Sequence, residues 1–193
     1  MRILLSMILL IICFSAGTAY SDECIEGDCM NGQGTMVYST GQKFSGEFKD
    51  GMRHGKGVFL LPGGRKLVGV WEDNEIREGT YTDFDGTTYT GQWQFRERNG
   101  QGTMTWPDGR KYVGEFKSGQ RHGKGTMVYP DGRTYVGDFQ WGERTGSGTM
   151  TYPDGRKYIG EFKDGERTGQ GTLIMPDGKK LVGEFKNGEF VEK

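Results

Sequence analysis

Histidine, cysteine and proline are scarce in this chain of 193 residues, at two, three and five copies, and each scarcity closes off some chemistry. A structural zinc site needs about four nitrogen, sulfur or oxygen ligands gathered together, and a Cys–His nucleophile needs an imidazole beside its thiol. His54 and His122 stand far from the cysteines along the chain. Charge of one sign is not in excess either. The 25 basic and 26 acidic residues alternate along the sequence, so no net field draws in nucleic acid. After Phe14 there is no long apolar run, and only 33% of residues are apolar. Such low hydrophobicity would ordinarily suggest disorder. The 35 glycines argue otherwise, because they recur on a schedule, whereas a flexible linker places glycine without one.

That schedule is a block repeated seven times, each copy built on an aromatic-x-Gly-x-aromatic core or a close variant. The anchoring glycines are Gly46, Gly69, Gly91, Gly114, Gly137, Gly160 and Gly183, evenly spaced except that the step from Gly69 to Gly91 is one position shorter. Self-similarity at this period marks a repeat array, in which each unit buries its apolar face by stacking on its neighbours. With repeats filling residues 32–188, little chain is left for a separate catalytic domain.

One copy, Gly102 to Phe116, folds on paper. Thr103 to Trp106 and Arg110 to Phe116 read as strands around Pro107-Asp108-Gly109. Proline sets the first corner of a type I turn, aspartate accepts the second, and glycine takes the left-handed third position. Pairing Trp106 with Arg110 then sets Met104 opposite Tyr112 and Gly102 opposite Gly114. Strand side chains alternate, so Met104, Trp106, Tyr112 and Phe116 share one face, and Thr103, Thr105, Lys111, Val113 and Glu115 the other. The next copies repeat the aromatic set as Met127, Tyr129, Tyr135 and Phe139, then Met150, Tyr152, Tyr158 and Phe162. The glycine between the two aromatics leaves room for a ring of a neighbouring strand to lie flat. Between Trp71 and Gly79, one residue is missing and Arg77 replaces a glycine, which predicts a local change of twist.

The motif Gly-x-Gly-Thr-Met-x-Tyr-Pro-Asp-Gly-x-x-Tyr-x-Gly-x-Phe resembles the MORN (membrane occupation and recognition nexus) repeat, over about residues 32–188. Ser39-Thr40-Gly41 and Phe84-Asp85-Gly86 depart from its turn. The resemblance implies an all-β fold: an elongated single-layer array of antiparallel β-hairpins from seven tandem repeats of about 23 residues. Family members of this kind serve as scaffolds, partner-binding surfaces or membrane-proximal linkers, and some are fused to lipid kinases or lysine methyltransferases.

The amino terminus reads as an export signal. Arg2 is its basic head, Ile3 to Phe14 its apolar stretch, and Gly17-Thr18-Ala19 its cleavage region, giving a signal peptide over residues 1–19. The stretch is shorter than the roughly 20 residues that span a bilayer, which favours cleavage near Ala19 over retention as an anchor. The expected home is periplasmic or secreted. The mature chain keeps Cys24 and Cys29 in an N-terminal cap over residues 20–31, and an even count in an exported protein favours a disulfide between them. Zinc would need further ligands, and a thioredoxin-like pair has two intervening residues rather than four. Residues 189–193 form a C-terminal tail, and uncapped terminal strands leave room for self-association.

No catalytic, cofactor or metal residues are assigned. His54 and His122 share one connector position, and Asp108, Asp131, Asp154 and Asp177 are turn residues rather than calcium ligands, which would cluster within one loop. Two binding surfaces remain. The aromatic face, Trp106, Tyr112, Phe116, Tyr129, Tyr135, Phe139, Tyr152, Tyr158 and Phe162, is either core or a docking surface for a protein partner. Arg65, Arg110, Arg133, Arg156 and Lys179 all follow the turn glycine and form a candidate anion-binding rim. The favoured function is a non-enzymatic exported scaffold binding a protein through the aromatic face. The alternatives are a peripheral binder of anionic membrane lipid or cell-envelope glycan through the rim, and an envelope hydrolase with an unrecognised site.

Overall fold

The computed structural model describes residues 21–192, so the expected leader, its cleavage site and Cys13 lie outside the described residues. Those residues form one open antiparallel sheet of sixteen strands in strict sequence order. The strands are β1 (Glu23–Gly27), β2 (Gln33–Val37), β3 (Lys43–Lys49), β4 (Met52–Leu60), β5 (Lys66–Glu72), β6 (Glu75–Thr82), β7 (Thr88–Gln94) and β8 (Glu97–Thr105). There follow β9 (Lys111–Lys117), β10 (Gln120–Val128), β11 (Thr134–Gln140), β12 (Glu143–Thr151), β13 (Lys157–Lys163), β14 (Glu166–Ile174), β15 (Lys180–Lys186) and β16 (Glu189–Phe190). A single 3-10 turn, Pro62–Gly64, closes the second hairpin.

Within each hairpin the register is the one that the turn chemistry predicts. Met104 pairs with Tyr112 and Gly102 with Gly114. The Trp106 amide donates to the Arg110 carbonyl at 3.0 Å, and Gly109 holds φ at +89° to close the loop. Between hairpins the chain does something the turn chemistry does not announce. In the β9–β10 pair, Glu115 lies opposite His122 but Gly114 lies opposite Gly125, so Gly123 and Lys124 bulge out of the ladder. A carboxylate then fills the bulge: the Lys124 amide donates to Glu115 Oε1 at 3.0 Å, as Lys56 does to Glu47 at 3.0 Å and Ser147 to Asp138 at 3.2 Å. Where the short repeat predicts altered twist, β5 and β6 show a bulge of one residue, between Glu78 paired with Val70 and Ile76 paired with Trp71.

A single sheet must build its core on one face. Tyr112 lies over the glycine pair Gly114 and Gly125, where a Cβ at either would sit 2.6 or 2.4 Å from the tyrosine hydroxyl. The ring thus comes from the same strand as one glycine and crosses to the next strand's, rather than arriving wholly from a neighbour as the sequence suggested. Phe116 and Phe139 meet this ring edge-on, with centroids 5.2 and 4.9 Å away, and the motif repeats at Tyr135 and Tyr158. Such T-shaped pairs are favourable beyond the area they bury. At one end a disulfide joins Cys24, within β1, to Cys29 just after it. At the other end the first residues of the expected tail pair as β16, setting Phe190 against Phe185 at 5.4 Å.

Candidate functional site

The aromatic face divides by depth. Tyr112, Tyr135 and Tyr158 expose 0% of their surface, and Phe116, Phe139 and Phe162 expose 3 to 4%. Trp106, Tyr129 and Tyr152, one step nearer the turns, stay half-exposed. Of the nine candidate residues, these three are the ones open to solvent.

The rim cations are arranged differently from an open anion site. The turn aspartate accepts the backbone amide of the residue after the glycine, and its second oxygen accepts from that residue's guanidinium. Arg110, Arg133 and Arg156 each place Nε 2.7 Å from Asp108, Asp131 and Asp154. The amide bonds, which contribute most, and the adjacent guanidinium hold all three carboxyls below the usual range. Their guanidiniums also stack on Trp106, Tyr129 and Tyr152 at 4.9 to 5.0 Å. Three rim charges are therefore met within their own turns. Arg65 instead donates to the Pro62 carbonyl at 3.1 Å, and Lys179 is exposed.

Sequence reasoning passed over a second arginine row, Arg98, Arg121, Arg144 and Arg167, although its even spacing, the same as that of the repeats, made it visible. Arg121 sits 5.8 Å from Trp106, 5.9 Å from Tyr112 and 5.7 Å from Phe139, and Arg144 takes the equivalent place over Tyr129, Tyr135 and Phe162. The Arg121 guanidinium donates to the Gly142 carbonyl at 2.6 Å; Arg144 and Arg167 donate to Gly165 and Gly188. Arg121 and Arg144 thereby cover rings of two successive hairpins, and with Arg167 each binds the turn of the next connection, whereas Arg98 lies over Tyr89 without such a bond. None of the four meets a carboxylate among the described residues. Burial lowers the pKa of Arg121, the sign expected of a desolvated cation. Arg53 is the first member of the row, and Ile76 interrupts it as the last buried residue of the first of two core clusters.

Six stretches, residues 30–43, 44–64, 89–109, 112–132, 135–155 and 158–180, match the family model described as MORN repeat. The chain belongs to the MORN repeat family. The longest unmatched stretch between the first and last matches, residues 65–88, holds the short bulge and Ile76, so the lapse in motif coincides with the lapse in structure. The MORN array is 38% identical to human alsin over 74 residues, which is 34% of this chain and 4% of alsin, and the mouse protein matches equally. The chain thus corresponds to a small fraction of that relative. Among solved structures, the SAS-4 TCP domain of Drosophila melanogaster, in complex with a proline-rich motif of Ana2, superposes with a TM-score of 0.54. Identity is 15%, over 94% of this chain and 96% of that one, a likeness of fold alone. The G-box domain of the microcephaly protein CPAP gives 0.47 at 12% identity, over 84% and 97%.

The buried tyrosines tie the array to pH. Burial pushes Tyr89 and Tyr135 up to about 12 and raises Tyr112 and Tyr158 as well. The fold favours the neutral phenol, so this contribution is complete below the unfolded value of about 10 and disappears as pH rises through about 12. Phenolate absorbance and strand circular dichroism are expected to change together above about pH 10. Full ionisation of these tyrosines near that pH with the β signal intact would contradict their burial.

Proposed function

We propose that this MORN array is a non-enzymatic scaffold that docks a protein partner on the half-exposed aromatic edge of its front face. The observation that carries the reading is the ladder Trp106, Tyr129 and Tyr152, each held in place by an arginine of its own turn. Ordered, amphipathic rings of this kind lose little conformational entropy when covered, which is why aromatic residues anchor interfaces. The turn rim is the weaker candidate, because three of its five cations already have carboxylate partners. Export is part of the proposal and draws support from the Cys24–Cys29 bridge, a bond typical of oxidising compartments.

The test is photo-crosslinking in the native cell, with the crosslinking residue at position 106 on the front face or 105 on the back. A discrete protein adduct from 106 and none from 105 supports docking there. Equal labelling from both positions, or lipid or glycan adducts alone, overturns it.

A further inference from the structure

The docking reading leaves the partner's chemistry open, and the front face of the last four repeats narrows it. Resting on that reading, we infer that the partner segment is a polyproline II helix with an acidic residue at every third position. It lies across the strands along the aromatic ladder, one helical turn per repeat, with each carboxylate beside one member of the row Arg98, Arg121, Arg144 and Arg167.

The first argument is pitch. Each repeat contributes two strands, so equivalent side chains recur about every 9.5 Å along the array. A polyproline II helix has three residues per turn and rises about 3.1 Å per residue, so it repeats every ~9.3 Å. Across four repeats the two patterns drift apart by less than about 1 Å. An α-helix brings a residue back to the same face every seven positions, about 10.5 Å, and drifts about 3 Å over the same span. A β-strand laid in this direction repeats each face about every 6.7 Å and falls out of step at once.

The second argument is charge. The four arginines are half-buried, lack carboxylate partners among the described residues and follow the same pitch as the ladder. Arg121 spends one donor on the Gly142 carbonyl, and a guanidinium has five. A cationic row over aromatic rings suits a ligand that offers both a carboxylate and flat pyrrolidine surface. Arg121 and Arg110 flank Trp106 at 5.8 and 4.9 Å, and Arg144 and Arg133 flank Tyr129 at 5.8 and 5.0 Å. The rings are therefore held before a ligand arrives. A polyproline II segment is also ordered beforehand, so neither side gives up much freedom on docking.

The experiment titrates the unaltered full chain against fluorescent peptides by anisotropy, at low and at raised salt. (Glu-Pro-Pro)5 is the expected ligand. (Lys-Pro-Pro)5 reverses the charge, and (Glu-Pro-Pro-Pro)5 keeps the charge while stretching its spacing by one residue. The first is expected to bind about tenfold or more tightly than either control and to weaken as salt rises. Equal affinity for the lysine peptide would remove the charge argument, and equal affinity for the stretched peptide would remove the pitch argument; either overturns the inference. If no peptide binds while position 106 still captures a protein in the cell, the docking reading stands and this identification of its partner falls.

Discussion

Alanine at Gly125 is expected to destabilise the array by about 3 kcal/mol, the upper end of what overpacking a well-filled site costs. The added methyl would stand 2.4 Å from the Tyr112 hydroxyl and 2.5 to 2.6 Å from its ring carbons. The ring has nowhere near to go, because Phe116 and Phe139 hold its edges and Arg121 lies over the face. Displacing it also breaks the hydroxyl's bond to the Glu115 carbonyl at 2.9 Å. Alanine at Thr126, the next residue but on the opposite face, is the control and is expected to matter little. Denaturant unfolding measures both. In a double-mutant cycle with Tyr112→Leu, the penalty at Gly125 should shrink, since the obstructing atoms belong to the ring. A full penalty in that background would place the conflict in the backbone instead. Because a repeat array is held together by nearest-neighbour interfaces, the Gly125 variant should also unfold in two steps, its two sides no longer coupled.

The hairpins were legible because everything that sets them is local. Pro107-Asp108-Gly109 fixes a loop, the loop fixes which residue faces which, and alternation then sorts Met104, Tyr112 and Phe116 onto one side. The joints between hairpins depend instead on contacts made only once two hairpins meet. Nothing in the string Arg121-His122-Gly123-Lys124-Gly125 states that two residues leave the ladder so that Glu115 can accept the Lys124 amide. The candidate site was half legible for a related reason. Periodicity tells which face a ring occupies, not what covers it. Tyr112 proves to be covered by its neighbours' rings and by an arginine that composition alone presents as one more surface charge. Asp108 was rightly a turn residue, but its second oxygen, which neutralises Arg110, has no signature in sequence.

Arg144 puts that covering role to the test, and the expected loss for Arg144→Ala is about 2 kcal/mol. Two contributions are at stake: contact of the cation and its stem with Tyr129, Tyr135 and Phe162, and the hydrogen bond to the Gly165 carbonyl. Cation–π contact contributes roughly 0.5 to 2 kcal/mol, and a charged hydrogen bond roughly 1.5 to 3, less the cost of desolvating the guanidinium. The array itself supplies the informative second variant. At the corresponding position of the short repeat the chain uses Ile76, which is 2% exposed and pairs across from Trp71 as Arg144 pairs across from Phe139. An apolar side chain therefore covers the rings there without any charge. Arg144→Ile is accordingly expected to recover more than half of what Arg144→Ala loses in stability. It should still abolish any dependence of partner binding on the Arg144 charge. If Arg144→Ile is as damaging as Arg144→Ala, the bond to the next turn rather than cover of the rings is what this arginine supplies. The row would then be a set of staples between repeats, with less of its charge free to meet a ligand.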